Sequence, residues 1–186
     1  RRFLAATGNS SFGYFGGGVQ TPSPAVSTID RVDYSNDTAT AAVKGPLSAA
    51  RYQLAATGNA DFGYFGGGQP GPVSTVDRID YSNDTATASP KGPLSLARGY
   101  VSATGNASFG YFGGGGTSPV RTTVDRVDYS NDTANASPKG PLSSARGFLA
   151  ATGNSDFGYF GGGSPTKSTV DRIDYSNDTA TMSSRG

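Results

Sequence analysis

One heptapeptide, FGYFGGG, begins at Phe12, Phe62, Phe109 and Phe157, at offsets of 50, 47 and 48 residues along a chain of 186. The text between the copies keeps the same phase, so the chain consists of four copies of one unit: 1–50, 51–97, 98–145 and 146–186. A period of this length belongs to propellers and solenoids, in which one short unit cannot bury its own apolar face and stacking on its neighbours makes the core. Ten Tyr and ten Phe supply large apolar surface, which a disordered chain lacks, even though Gly 28 and Pro 11 make up about a fifth of the residues.

The unit reads as four short strands. In the second copy the β-forming segments are 53–57, 62–67, 74–81 and 85–89, separated by TGNAD, GGQPGPV and SNDT, with KGPLSLAR leading to the next copy. Apolar residues nowhere recur at helical spacing over three turns. Four antiparallel strands per unit is the arithmetic of a propeller blade. The expected fold is therefore an all-β, four-bladed β-propeller with one four-stranded antiparallel blade per repeat, a single domain over 1–186. Small residues recur on the first strand of every copy, as Ala5-Ala6-Thr7, and bulky ones on the second, as Phe12, Tyr14 and Phe15.

The order R-x-x-L-A-A-T, F-G-Y-F-G-G-G, T-V-D-R-I-D-Y and G-P-L-S-x-A-R resembles the kelch repeat, with its glycines ending the second strand and an arginine opening the next unit. The resemblance covers all four units, and departs from the pattern where Thr40, Thr87, Asn135 and Thr181 stand near the place of the kelch tryptophan. Repeats so nearly identical are also similar to those of predicted kelch-type proteins of marine viruses and uncultured microbes. The resemblance implies a first strand at the axis, a fourth on the outside, and loops divided between two faces. TGN and SNDT turns then share one face, and the variable loops 19–26, 69–73, 116–121 and 164–167 lie on the other, where recognition commonly resides.

Composition narrows the chemistry. His and Cys are absent, which removes imidazole acid–base catalysis, thiol nucleophiles, disulfides and His or Cys metal sites, including copper-oxidase chemistry. Lys+Arg 15 against Asp+Glu 14 gives no polycation for nucleic acid, and no apolar run reaches the ~18 residues of a membrane span, so neither is an expected partner. The stretch from Asp80 to Thr85 alternates oxygen-bearing side chains in the manner of a calcium loop but lacks its glycine and distal glutamate. Asn and Asp there read as turn formers bonded to their own backbone. No cofactor is expected, with calcium the one alternative. Asp30-Arg31, Asp77-Arg78, Asp125-Arg126 and Asp171-Arg172 recur in every unit, as do Arg51, Arg98 and Arg146, which points to structural pairs; catalysis needs one asymmetric constellation.

The expectation is a non-enzymatic scaffold for multivalent binding, on an extracellular or virion surface, of a carbohydrate or a protein partner. Repeated aromatic and Asn/Asp/Thr groups suit sugar hydroxyls and ring faces, and linked weak sites give avidity. The candidate ligand-binding residues are Asn9, Asn59, Asn106 and Asn154 with Asp37, Asp84, Asp132 and Asp178. The alternatives are a structural building block that self-associates into a fibre or oligomer, and an adaptor that binds peptides through the variable loops. Reading Arg185 in the phase of Arg146 gives the further expectation of a finite set of four blades, since the last unit then lacks the GPLS connection.

Overall fold

The computed structural model describes the chain apart from Ser23, Thr117 and Gly186, so two variable loops and the expectation for the last residue each contain a position outside the described residues. Four antiparallel sheets follow one another in chain order. The first holds β1 (Ala5–Gly8), β2 (Phe12–Gly16), β3 (Ile29–Asp33) and β4 (Ala42–Lys44). The second holds β5 (Ala55–Gly58), β6 (Phe62–Gly66), β7 (Val76–Asp80) and β8 (Ser89–Lys91). The third holds β9 (Ser102–Gly105), β10 (Phe109–Gly113), β11 (Val124–Asp128) and β12 (Ser137–Pro138). The fourth holds β13 (Ala150–Gly153), β14 (Phe157–Gly161), β15 (Val170–Asp174) and β16 (Ser183–Ser184). Each repeat is thus one four-stranded antiparallel blade, an all-β arrangement compatible with a four-bladed β-propeller, in one register: Tyr14 faces Arg31, and Tyr64, Tyr111 and Tyr159 face Arg78, Arg126 and Arg172.

The first strand of the second unit starts at Ala55 and ends at Gly58, the second ends at Gly66 and the third starts at Val76, each one or two residues from expectation. Two further boundaries differ from expectation. The third strand of the second unit stops at Asp80, whose side chain accepts from the Ser82 amide and starts a single 3-10 turn over Tyr81–Asn83. The fourth strand comes later than 85–89, over Ser89–Lys91. The residues between run along the preceding blade: the Gly45 amide donates to the Asp84 carbonyl at 2.8 Å and the Ala88 amide to the Pro46 carbonyl at 2.8 Å. A side chain at Gly45 would meet the Ala86 carbonyl oxygen at 1.8 Å, so only glycine admits this crossing. Arg185 also stands elsewhere than expected. Its amide donates to the Val170 carbonyl as that of Lys139 donates to Val124, which gives Arg185 the phase of Lys139 and removes the basis for reading a dropped connection.

The core lies between blades. One cluster joins Tyr14 and Ile29 of the first blade to Phe65, Ile79 and Tyr81 of the second, and equivalent clusters form at the next two junctions. At each, a phenylalanine of the later blade lies over a strand-end glycine of the earlier: Phe65 on Gly16, Phe112 on Gly66, Phe160 on Gly113. Burying such a ring is worth about 1.5–3 kcal/mol. The first strands pack side by side, β1 on β5, β5 on β9 and β9 on β13, which gives their small residues a crowded setting. Among the described residues every inter-blade hydrogen bond joins consecutive blades, and none joins the fourth to the first. The blades therefore form an open series with two end faces. No helix among the described residues is long and apolar enough to cross a membrane.

Candidate functional site

Each junction is held by one recurring polar cluster. Tyr14 Oη donates to Asp84 Oδ2 at 2.9 Å, Arg31 donates to the same oxygen at 2.7 Å, and Lys44 lies 3.1 Å from the other. Tyr64, Arg78 and Lys91 repeat this on Asp132, and Tyr111, Arg126 and Lys139 on Asp178. Burial pushes the Asp84 carboxyl up, but the hydrogen bonds from Lys44 and Tyr14 with the Arg31 charge outweigh it and hold the group below the usual carboxylate range. The Tyr14 phenol is pushed far above its ordinary value, by burial first and by the carboxylate it bonds second. Tyr14 also stacks on Tyr81 at 4.8 Å, with equivalent stacks of Tyr64 on Tyr129 and Tyr111 on Tyr175. Each strand arginine, from Arg31 to Arg172, lies over the phenylalanine of its own blade at 4.2–4.3 Å.

The sequence neighbours Asp77 and Arg78 point to different partners, because successive strand residues face opposite sides of a blade. Arg78 reaches forward to Asp132. Asp77 is fully buried and binds Arg51 at 2.7 Å, with the Ser48 amide and hydroxyl also donating to it. Asp125 with Arg98 and Ser95, and Asp171 with Arg146 and Ser143, repeat the arrangement. The serine of each GPLS segment thus satisfies the carboxylate of the following blade, and its leucine, Leu47, Leu94 or Leu142, is buried.

On the TGN/SNDT face the junctions open into clefts. The first, about 430 Å³, is lined by Asn9, Phe12, Asp61, Phe62, Asp80 and Ser82 among others. The second, about 420 Å³, repeats it with Asn59, Phe62, Ser108, Phe109, Asp128 and Ser130. The third, about 370 Å³, has Asn106, Asp156, Phe157, Asp174 and Ser176. The asparagines hold their own loops: Asn9 Oδ1 accepts from the Ser11 and Phe12 amides, while its Nδ2 donates to the Ala60 carbonyl of the next blade at 3.2 Å. Asp80 is fixed by the Ser82 hydroxyl at 2.6 Å and the Ser82 amide, and these bonds hold its carboxyl below the usual range; Asp128 is lowered in the same way by Ser130.

The two halves of the predicted set therefore occupy different places. Asn9, Asn59 and Asn106 line the clefts, and Asn154 is exposed on the last blade with the loop bonds alone. Asp84, Asp132 and Asp178 are instead enclosed by Tyr, Arg and Lys within the junctions, and Asp37 is exposed on the first blade. The carboxylates that share the clefts with asparagine are Asp61, Asp80, Asp128, Asp156 and Asp174. No group of three or more Asp or Glu with metal-binding geometry occurs among the described residues.

A feature that sequence reasoning missed lies near the opposite face. Phe3, Gln53, Tyr100 and Phe148 all have φ between 55° and 60°, a left-handed conformation uncommon for bulky residues and costing about 1–3 kcal/mol each. A backbone ladder holds them: the Gln53 amide donates to Phe3, Tyr100 to Gln53, and Phe148 to Tyr100. The only signal was a large residue two positions after each repeat-opening arginine, with no glycine to announce the turn. The variable loops next to this ladder each contain a cis X-Pro bond, at Pro22, Pro70, Pro119 and Pro165. Compared with protein-family models and with curated proteins, the chain matches none.

Proposed function

We propose that the chain is a non-enzymatic scaffold for multivalent binding, in which the equivalent clefts between blades each take one polar unit of a repeating ligand, a carbohydrate being the best-fitting class. The observation that carries this reading is the repetition of one cleft at three junctions, each combining an asparagine amide with at least one aspartate carboxylate, one serine hydroxyl and one phenylalanine ring. Such groups bond hydroxyls and cover the apolar face of a sugar ring, whereas catalysis asks for one asymmetric site. Three linked weak sites raise avidity without any new contact. The kelch-like order of motifs supports the blade reading, since repeats of that type are commonly binding modules. An extracellular or virion surface is the setting that fits a glycan ligand.

The test is a glycan array on the parent chain and on the variant carrying Asn9→Asp, Asn59→Asp, Asn106→Asp and Asn154→Asp together. Aspartate keeps the oxygen that holds each loop and removes the amide donor. Loss of glycan binding at an unchanged fold, followed by circular dichroism, supports the clefts as the site. Retained binding removes this face from the reading, and an array with no hit for the parent removes the carbohydrate.

A further inference from the structure

The three clefts share one frame and differ in charge. Where the loop before the second strand reads TGNAD or TGNSD, its aspartate enters the cleft, as Asp61 in the first and Asp156 in the third. The second cleft has Ser108 at that place. The first therefore combines Asp61 with Asp80 and the third Asp156 with Asp174, whereas Asp128 is the one carboxylate among the described residues of the second. All three clefts lie between consecutive blades, so the difference comes from the side chain and not from place in the series.

The carboxylates common to the three clefts are set alike. Bonds from Ser82, Ser130 and Ser176 first, and the charges of Arg78, Arg126 and Arg172 after them, hold Asp80, Asp128 and Asp174 below the usual carboxylate range. They form a constant background, and the aspartate before the phenylalanine is what varies. Asp61 and Asp156 are exposed at the rim, and among the described residues neither side chain accepts a hydrogen bond or forms an ion pair. No Lys or Arg among the described residues lines a cleft, while each cleft presents a phenylalanine ring beside the variable position: Phe62, Phe109 or Phe157.

We propose that the first and third clefts select a sugar unit carrying a protonated amine and the second a neutral hydroxylated unit, with Asp61 and Asp156 as the residues that set the difference. This rests on the reading of the clefts as carbohydrate sites and names the class of sugar, an amino sugar. An ammonium beside Asp61 gains a charge-assisted hydrogen bond to an oxygen that nothing else among the described residues engages. The face of the neighbouring phenylalanine attracts the same cation. An N-acetyl group in its place has no charge for either partner. With Ser108, the second cleft keeps the hydroxyl contacts and lacks the extra charge.

Titration calorimetry with a glucosamine oligosaccharide and with its N-acetylated form, in mildly acidic buffer with and without EDTA, tests it. The proteins are the parent, the variant carrying Asp61→Ser and Asp156→Ser together, and Ser108→Asp. Each substitution installs the residue that another copy of the repeat has at that place, so the blades accept it. The parent is expected to bind the amine form more tightly, by about two- to fivefold for each charged cleft, and less so as salt is added. The ratio of the two affinities is expected to fall toward one in the double variant and to rise in Ser108→Asp. Equal affinity of the parent for the two forms, or a preference that survives in the double variant, overturns the inference and leaves the clefts as sugar sites. A preference abolished by EDTA overturns it in favour of a bridging metal ion. Binding of neither form also overturns it, and a glycan array on the same protein then shows whether the carbohydrate reading falls with it.

Discussion

The internal junctions and the end faces are built from the same residues and differ only in whether a neighbour is present, which makes the molecule its own control. Phe65 and Phe15 have the same strand position and neighbours in sequence, yet one is fully buried and the other exposed. The comparison shows that the repeat encodes half-interfaces: stability belongs to pairs of blades, as expected when each unit contacts only its neighbours. Substituting one residue at a junction and its copy at an end face, in protein dilute enough to be monomeric, isolates what the neighbour contributes.

The largest difference is expected at the buried ion pairs. Asp125→Ala leaves the Arg98 guanidinium buried and unpaired, and urea unfolding is expected to show a loss of about 3–5 kcal/mol. Asp30→Ala, in the same place on the first blade, breaks a part-exposed pair with Arg1 and is expected to cost no more than about 1 kcal/mol. Similar losses at both sites would mean that the pair is a property of the blade and not of the junction.

Next comes the Tyr-Arg-Lys-Asp cluster. Asp84→Asn removes charge-assisted bonds from Arg31 and Lys44 and is expected to lower stability by about 1.5–3 kcal/mol at neutral pH, while Asp37→Asn should stay within about 0.5 kcal/mol. The Asp84 carboxyl is lowered in the fold, so its contribution is complete above the unfolded carboxylate value of about 3.9 and is lost as the pH falls through the folded one. The gap between the parent and Asp84→Asn, followed by urea midpoint, should therefore close as the solution is acidified below about pH 4. A gap that persists in acid would show that the cost comes from packing. At alkaline pH the signs reverse. The Tyr81 phenol is pushed up to about 12 by burial, so its folded, neutral form adds stability below about pH 10 that fades as the pH rises further.

The glycines follow. Gly66→Val drives a side chain into Phe112 and is expected to cost about 1–3 kcal/mol, possible relief being limited by the packed ring. Gly161→Val meets only ordinary contact with Val170 and should leave the unfolding midpoint within about 0.5 kcal/mol of the parent. Equal costs would mean that backbone entropy, not the neighbouring ring, sets the requirement for glycine.

Much of this was legible in the sequence because duplication prints each local rule four times. The strands at Phe12, Phe62, Phe109 and Phe157, the positive φ of Gly17, Gly67, Gly114 and Gly162, and the structural use of the Asp-Arg repeats all follow from local pattern. What was not legible depends on the neighbouring blade. The stretch 85–89 reads as a strand, but the backbone from Asp84 to Ala88 is recruited by Gly45 and Pro46 of the blade before. Asp84 reads as a turn residue available to a ligand, and only the packing brings Tyr14, Arg31 and Lys44 onto it. The left-handed Phe3, Gln53, Tyr100 and Phe148 break local preference outright, held by a ladder that crosses all four blades.

The smallest effect tests the asparagines that the sequence singled out. Asn106 and Asn154 both use Oδ1 to hold their loop amides, at 2.8–3.0 Å. Only Asn106 has a next blade to reach, where its Nδ2 donates to the Ser155 carbonyl at 3.3 Å. Aspartate in either place keeps the loop bonds and deletes the donor, so Asn154→Asp should be close to neutral and Asn106→Asp should lose about 0.5–1.5 kcal/mol. A long bond at a partly exposed site puts the expected value at the lower end of that range, which chemical denaturation resolves when the two variants are measured side by side. If Asn106→Asp is as stable as Asn154→Asp, the amide is not needed to join the blades, and its recurrence at every cleft then points to the ligand.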